Sequence, residues 1–340
     1  MHEQSAIESM PLYVNVERIN NELAALGIGN DEALTPAQLF PFDQYHYHGT
    51  DAVRVATHLL GLGPTSHVLD VGSGMGGPAR YLASTIGCHV TALELQSELH
   101  ALAARLTARC GLEQHITHVC GDALTAAFPD AAFDAVVSWL VFHHIPERPH
   151  LLARLARILR RGGQCYIEDL YQRAPFTASD LPDVHHTIFG VTLTSIADYV
   201  RDLHEAGFTG ITATDMSEDW ATFCGVRTAA WQAERPRHVR VHGEADLHPA
   251  RYILHGGAPA LWQWQSGRRP LGRPHRMSDH VSAQVRSESV FPGSTRSGKP
   301  WDSVPTRTWA EPSTPPHRGP VADLLNVNSL GWAARGARGR

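Results

Sequence analysis

The sequence predicts an α/β protein built on a doubly wound, mostly parallel sheet, and three observations carry that prediction. Short β-branched runs alternate with amphipathic stretches from residue 50 to residue 169, the pattern of strand–helix–strand units joined by right-handed crossovers. The first run opens into a glycine-rich turn and then a helix, VLDVGSGMGGPAR at 68–80. A second glycine pair, Gly162–Gly163, stands where a helix hands over to the fifth strand.

The elements follow in order. Residues 12–28 carry Val14, Ile19, Leu23 and Leu26 at helical spacing and close on the glycines of LGIGN. A turn-rich stretch reaches DQYHYHG at 43–49, and a helix over 50–61 leads into strand one, HVLDV. Pro78 sits just inside the next helix, where its missing N–H costs nothing. HVTALEL is strand two, ITHVCGDAL strand three, FDAVVSWLVFHHI strand four and LRRGGQCYIEDLY strand five. YQRAPFTASDLPDVHHTIFG then breaks the rhythm before the helix SIADYVRDLHEAG, an insertion placed to form a lid over a substrate. GITATDM is strand six and WATFCGVRTAAWQAER a helix; a seventh strand is due next, and the sequence shows none. The expected organisation is an N-terminal helical cap over 1–49, a main domain over 50–245 and a tail over 246–340.

Composition narrows the function classes. The 340 residues are 43% hydrophobic with a net charge of −5, enough apolar content for a sizeable core and the wrong sign for a nucleic-acid binder. No 18-residue apolar run and no basic-then-apolar leader occur, so neither a membrane nor an export signal is expected. Cys88, Cys110, Cys120, Cys165 and Cys224 form no C-x-x-C pair, which suits free thiols in the reducing cytoplasm. The average charge conceals a split: residues 1–245 hold 28 acidic and 16 basic side chains, and residues 246–340 hold 6 and 13. That tail also carries 11 of the 22 prolines and five of the eight tryptophans without any persistent period. It is read as a non-domain.

The glycine turn carries the chemistry. Gly72, Gly74 and Gly77 fit the dinucleotide spacing G-x-G-x-x-G, and on that spacing alone a dinucleotide site and a turn without a ligand both stay open. Asp70, two residues ahead, tips the balance. A carboxylate at the tip of strand one repels a pyrophosphate and attracts a sulfonium or an ammonium.

With these pieces in this order, the chain resembles the class I S-adenosylmethionine (SAM) methyltransferases, whose sheet is Rossmann-like. The resemblance implies SAM as methyl donor, no metal, and a cofactor site of Asp70, Gly72, Ser73, Gly74, Gly76, Glu94, Leu95, Asp122, Ala123 and Ser138. Glu94 would meet the ribose hydroxyls, and Asp122 the adenine amino group. In related small-molecule methyltransferases a segment resembling S-G-N-L-G-G-x-R opens the last strand hairpin. A shifted reading frame through LWQWQSGRRPL at 261–271 can restore such a string. The tail is therefore expected to be either a disordered extension or an out-of-frame product that begins between about residues 244 and 251.

Methyl transfer from a sulfonium is an in-line displacement, so the protein mainly positions the reactants and excludes water. A neutral amine needs little more, whereas a phenol needs a general base. The candidates for that base are His144, in a segment that resembles the S-x-D-x-x-x-H-I of phosphoethanolamine N-methyltransferases, with Tyr45 and Tyr47 as partners. Ser138, His144 and Ile145 match, but Leu140 replaces that family's aspartate. HHIP-type segments also occur in quinone and tocopherol C-methyltransferases. Glu168 and Asp169 end strand five at the same edge, where they can hold a cationic acceptor or cap the next turn. His46/His48 and His185/His186 lack the spacing of a zinc site. GGPARYLA and the D-Q-x-H stretch at 43–46 resemble sarcosine and dimethylglycine N-methyltransferases. The expected function is N-methylation of a small-molecule amine. The alternatives are O- or C-methylation of a small aromatic or prenylated acceptor, and a methyltransferase-like binding module without turnover. No nucleic-acid or membrane partner is expected, and the oligomeric state stays open.

Overall fold

The computed structural model describes residues 17–178, 180–186 and 188–244 together with the backbone of 286–289. Seven strands form one sheet: β1 (His67–Val71), β2 (His89–Glu94), β3 (Ile116–Cys120), β4 (Phe133–Trp139), β5 (Leu159–Glu168), β6 (Phe208–Thr212) and β7 (Arg286–Ser289). Their spatial order is β3-β2-β1-β4-β5-β7-β6. Neighbours from β3 to β5 are parallel, and β7 runs antiparallel to both β5 and β6. Order reverses between β1 and β4, where a doubly wound sheet opens its ligand crevice.

Both faces of the sheet are covered, so its central strands are apolar on both sides. Leu69, Val136, Cys165 and Ile167 pack beneath helices α6 (Arg148–Ile158) and α8 (Ile196–Glu205). Val68, Val90, Val137 and Tyr166 pack beneath α3 (Thr50–Leu60) and α4 (Gly77–Tyr81). Among the described residues, no helix is long and apolar enough to cross a membrane.

Two sequence expectations are corrected. The seventh strand exists: β7 pairs Ser287 with Cys165 and Glu288 with both Gln164 and Thr209. It lies inside the segment that the sequence sets apart as a tail. The tetrapeptide RSES has no apolar alternation, and only its sheet neighbours identify it as a strand. The remaining tail expectations fall outside the described residues. Strand four, read from the segment FDAVVSWLVFHHI, ends at Trp139 because Leu140 turns into the left-handed region at φ +58, and Phe142–His144 form a 3-10 turn. That break delivers His144 to the crevice.

The cap is held down by a buried ion pair. Helices α1 (Glu17–Ala25) and α2 (Pro36–Asp43), with Leu34 of the connection between them, place Ile19, Leu23, Leu34 and Leu39 on Met75 and on Leu99, Leu102 and Leu106, the last three from α5 (Ser97–Arg109). Asp43, at the end of α2, accepts a hydrogen bond from the fully buried Arg80 guanidinium at 2.9 Å. Arg80 also donates to the Met75 carbonyl at 2.6 Å and reaches the Ala103 carbonyl and Thr107 hydroxyl at 3.4 Å. A Cβ on Gly77 would stand 2.2 Å from the Asp43 carbonyl oxygen, so only glycine lets the cap come this close. A second clamp joins Glu22 of α1 to Arg237 (2.5 Å) and His242 (2.8 Å) of α10 (Arg235–His242).

Breaking a buried pair from one side leaves an uncompensated charge, so Arg80→Met should cost about 3–5 kcal/mol in urea unfolding. The double variant Arg80→Met/Asp43→Leu should recover most of that loss.

Candidate active site

An open cavity, about 950 Å³ with the solvent at its mouth included, lies at the carboxyl ends of β1, β2, β3 and β4, closed on one side by Tyr45 and His46 of the cap. Asp70 and the turn Gly72–Gly74 form its floor. Glu94 and Leu95 from the end of β2, and Asp122 and Ala123 after β3, form one wall; Leu140, Val141 and His144 form the other. A Cβ on Gly72 would lie 2.4 Å from Val141, which makes glycine obligatory where the turn meets the loop after β4.

Of the cofactor residues expected from sequence, Asp70, Gly72, Ser73, Gly74, Glu94, Leu95, Asp122 and Ala123 line this cavity. Two take other places. Gly76 caps α4 with φ +75 and packs against Arg80 and His118. Ser138 is buried and donates its hydroxyl to the Val71 carbonyl at 2.9 Å, tying the end of β4 to β1. Sequence spacing cannot separate a residue that faces the ligand from one that fixes the strand behind it.

The carboxylates are set for different tasks. Glu94 accepts the Gly74 N–H at 2.8 Å through Oε2 and the Gln96 N–H at 2.9 Å through Oε1. Burial raises its pKa, and those backbone bonds hold the rise back. Asp70 has no such support. Its Oδ2 is buried and has no partner among the described residues. Burial, and then the charge of Glu94, push it up to about 8. A buried orphan oxygen at the cavity floor fits a ligand that brings its own cation. A carboxylate already anchored by two amides fits vicinal hydroxyls. SAM presents both groups, an α-ammonium and a ribose diol, so the donor set matches it.

Of the proposed catalytic residues, Tyr45 and His144 line the cavity, and Tyr47 does not. Tyr47 is 6% exposed and packs edge-on against Trp220 at 4.5 Å, as an aromatic of the cap interface. The Tyr45 hydroxyl, hydrogen-bonded by Arg18, is raised above its ordinary pKa by burial and stays a phenol. His144 Nδ1 lies 3.0 Å from the Phe189 carbonyl. A carbonyl only accepts, so Nδ1 carries the proton and Nε2 the lone pair. Burial, and then the neighbouring His143, hold His144 well below its ordinary pKa, so the ring is neutral.

Sequence reasoning missed how this ring is fixed. His143 Nδ1 donates to Asp169 at 2.6 Å, and Tyr199 donates to the other oxygen of Asp169 at 3.4 Å. Arg148 stacks on Tyr199 at 4.4 Å, pairs with Asp202 at 2.9 Å and donates to the Thr192 carbonyl at 2.7 Å. The predicted lid returns over the pair, with Val191 N–H donating to the His143 carbonyl at 2.7 Å. Also missed was Trp139, which stacks on His46 at 5.2 Å and lines the cavity with it. Its only sequence signal is aromatic character at a strand end.

A seven-stranded sheet of this order, with an acidic residue before a glycine turn and a second at the tip of β2, defines a SAM-dependent class I methyltransferase. Residues 69–167 match the family described as Methyltransferase domain. The chain is 31% identical to the sarcosine/dimethylglycine N-methyltransferase of Halorhodospira halochloris over 78% of this chain and 90% of that enzyme, and it belongs to the same methyltransferase family. It is 30% identical to phosphoethanolamine N-methyltransferase 1 of Arabidopsis thaliana over 51% of this chain, and spans 34% of that longer enzyme. Its fold is that of a Haemonchus contortus phosphoethanolamine N-methyltransferase solved with S-adenosylhomocysteine, at a TM-score of 0.61 and 17% identity over 75% of this chain and 58% of that one. It is an enzyme, and SAM is its methyl donor.

Below pH 8 Asp70 holds a proton in the ligand-free protein, and a bound ammonium requires the carboxylate. SAM binding at pH 7 should therefore release about one proton, measured by calorimetry in buffers of different ionisation enthalpy, and affinity should rise with pH up to about 8. Asp70→Asn should abolish the release and weaken SAM binding at least roughly tenfold.

Proposed function

We propose that the chain transfers the SAM methyl group to the nitrogen of a small amine, with Tyr45 and His144 at the reacting end of the cavity and Asp70, Gly72–Gly74, Glu94, Leu95, Asp122 and Ala123 holding the donor. The observation that carries this reading is the pose of His144 on the cavity wall, its Nδ1 held 3.0 Å from the Phe189 carbonyl. Burial, and then His143, lower the basicity of the ring, which weakens it as a base for a hydroxyl whose proton must be taken as the bond forms. It is well suited to accept a hydrogen bond from an amine that already has its lone pair. Nδ1 is committed to the Phe189 carbonyl, so the lone pair of Nε2 has a fixed direction. The likeness to a sarcosine/dimethylglycine N-methyltransferase over most of both chains supports the same acceptor class.

The donor supplies an electrophilic methyl on sulfur, and the protein's part is alignment and dryness. Trp139, Leu140 and Val141 give the cavity an apolar wall beside His144. His46, stacked on Trp139 and brought down to about 4 by burial, adds no charge there. The free thiols of Cys88, Cys165 and Cys224, all buried, support a cytoplasmic location.

Transfer of label from methyl-labelled SAM to sarcosine, dimethylglycine, phosphoethanolamine and catechol tests the reading. Labelling is expected on an amine, and labelling of catechol alone would overturn it. His144→Gln, which removes the Nε2 acceptor, should lower kcat by roughly tenfold while SAM affinity in a thermal-shift titration stays within about threefold of the parent.

A further inference from the structure

Two carboxylates end β5, and they serve opposite faces of the sheet. Asp169 is consumed by His143 and Tyr199. Glu168 is 1% exposed; its Oε1 accepts the Tyr166 hydroxyl, and its Oε2 has no hydrogen-bond partner among the described residues. The strand register puts Glu168 beside Trp139, and Asp70 beside Val137. Val137 and Trp139 are two residues apart on β4, so Asp70, Trp139 and Glu168 all project from the same face.

On that face the rings form a continuous row. His46 stacks on Trp139 at 5.2 Å, and Trp139 lies 6.0 Å from Tyr166, whose hydroxyl holds Glu168. His46 and Trp139 line the donor cavity; Tyr166 and Glu168, each 1% exposed, lie behind that wall at the other end of the row. The indole N–H of Trp139 is also buried and without a partner among the described residues. Among the described residues, no cationic side chain is hydrogen-bonded to Glu168. A second carboxylate, Asp219 of α9 (Ser217–Ala233), acts on Glu168 and helps burial push it up to about 7. An acidic, aromatic-walled corner with an orphan oxygen lacks a cation.

We propose that Glu168, walled by Trp139 and Tyr166, is the counter-ion for the positive charge that methyl transfer places on the acceptor nitrogen, and so for the methylated ammonium product. The inference rests on the reading that the acceptor is an amine. Aromatic faces and one carboxylate favour a methylated ammonium, whose charge is spread over its methyl groups and whose hydration is weak. An uncharged group of the same shape gains the apolar contact and none of the electrostatic attraction. The site therefore separates amines from their carbon analogues, which a purely apolar pocket cannot do.

The test uses two pairs of equal shape: choline against 3,3-dimethylbutanol, and glycine betaine against 3,3-dimethylbutanoate. Each is titrated into the full chain with S-adenosylhomocysteine present and followed by tryptophan fluorescence. The protein should bind at least one cation roughly tenfold or more tighter than its neutral-nitrogen-free partner. That preference should vanish in Glu168→Gln, with S-adenosylhomocysteine affinity retained, and persist in reduced form in Tyr166→Phe, which keeps the carboxylate and loses its hydroxyl partner. Equal binding within both pairs by the parent, or full preference in Glu168→Gln, would overturn the proposal. If the parent prefers the cations yet labels no amine from SAM, the amine-methylation reading fails and the cation site stands.

Discussion

The Arg80 guanidinium is the contact on which the site depends. It joins three parts of the chain that are distant in sequence: the cap through Asp43, the glycine turn through the Met75 carbonyl, and α5 through Ala103 and Thr107. A buried arginine is costly unless all its donors are used. Here that requirement fixes the cap at one distance from the glycine turn, and the absent side chain of Gly77 makes the distance possible. Tyr45 and His46 follow Asp43 after Gln44 alone, so the same pair that holds the cap also positions two residues of the cavity wall.

The other walls are fixed by comparable economies. Ser138 spends its hydroxyl on Val71, which locks the end of β4 against β1 just before Leu140 enters the left-handed region. Phe189, also left-handed at φ +51, turns its carbonyl toward His144. Strained non-glycine conformations on both sides of one histidine persist only where surrounding contacts over-determine them. The chain from His143 through Asp169, Tyr199 and Arg148 to Asp202 supplies those contacts.

The donor side was legible in the sequence because its function is written in backbone. Glycines that must lack a Cβ, and acidic residues at strand tips, are constrained by position, and positions are what a sequence shows. The acceptor side is written in side chains that meet across the fold. Tyr45 and Tyr47 are two residues apart and look alike in sequence, yet one faces the cavity and the other faces Trp220. Glu168 and Asp169 are adjacent, and strand alternation sends them to opposite faces with different partners. Strand β7 escaped for a third reason: four polar residues carry no periodic signal, and their role is assigned by the edges of β5 and β6.

The electrostatics of the ligand-free site follow one rule. Burial discharges the ionisable groups in and behind the cavity wall: Asp70 is pushed up to about 8, Glu168 up to about 7 and His46 down to about 4, and His144 is held well below its ordinary value. A site built this way costs little desolvation while it waits, and it acquires charge only when a cation arrives to share it. In methyl transfer from a sulfonium to an amine, positive charge leaves sulfur and appears on nitrogen. Asp70 on β1 and Glu168 on β5 stand on one face with β4 between them. A carboxylate on the side that gains charge stabilises the product more than the reactant, which is the sense in which a preorganised charge accelerates a reaction. A hydroxyl acceptor would lose its proton and end uncharged, leaving a buried carboxylate there with nothing to oppose. The sheet face itself therefore argues for nitrogen.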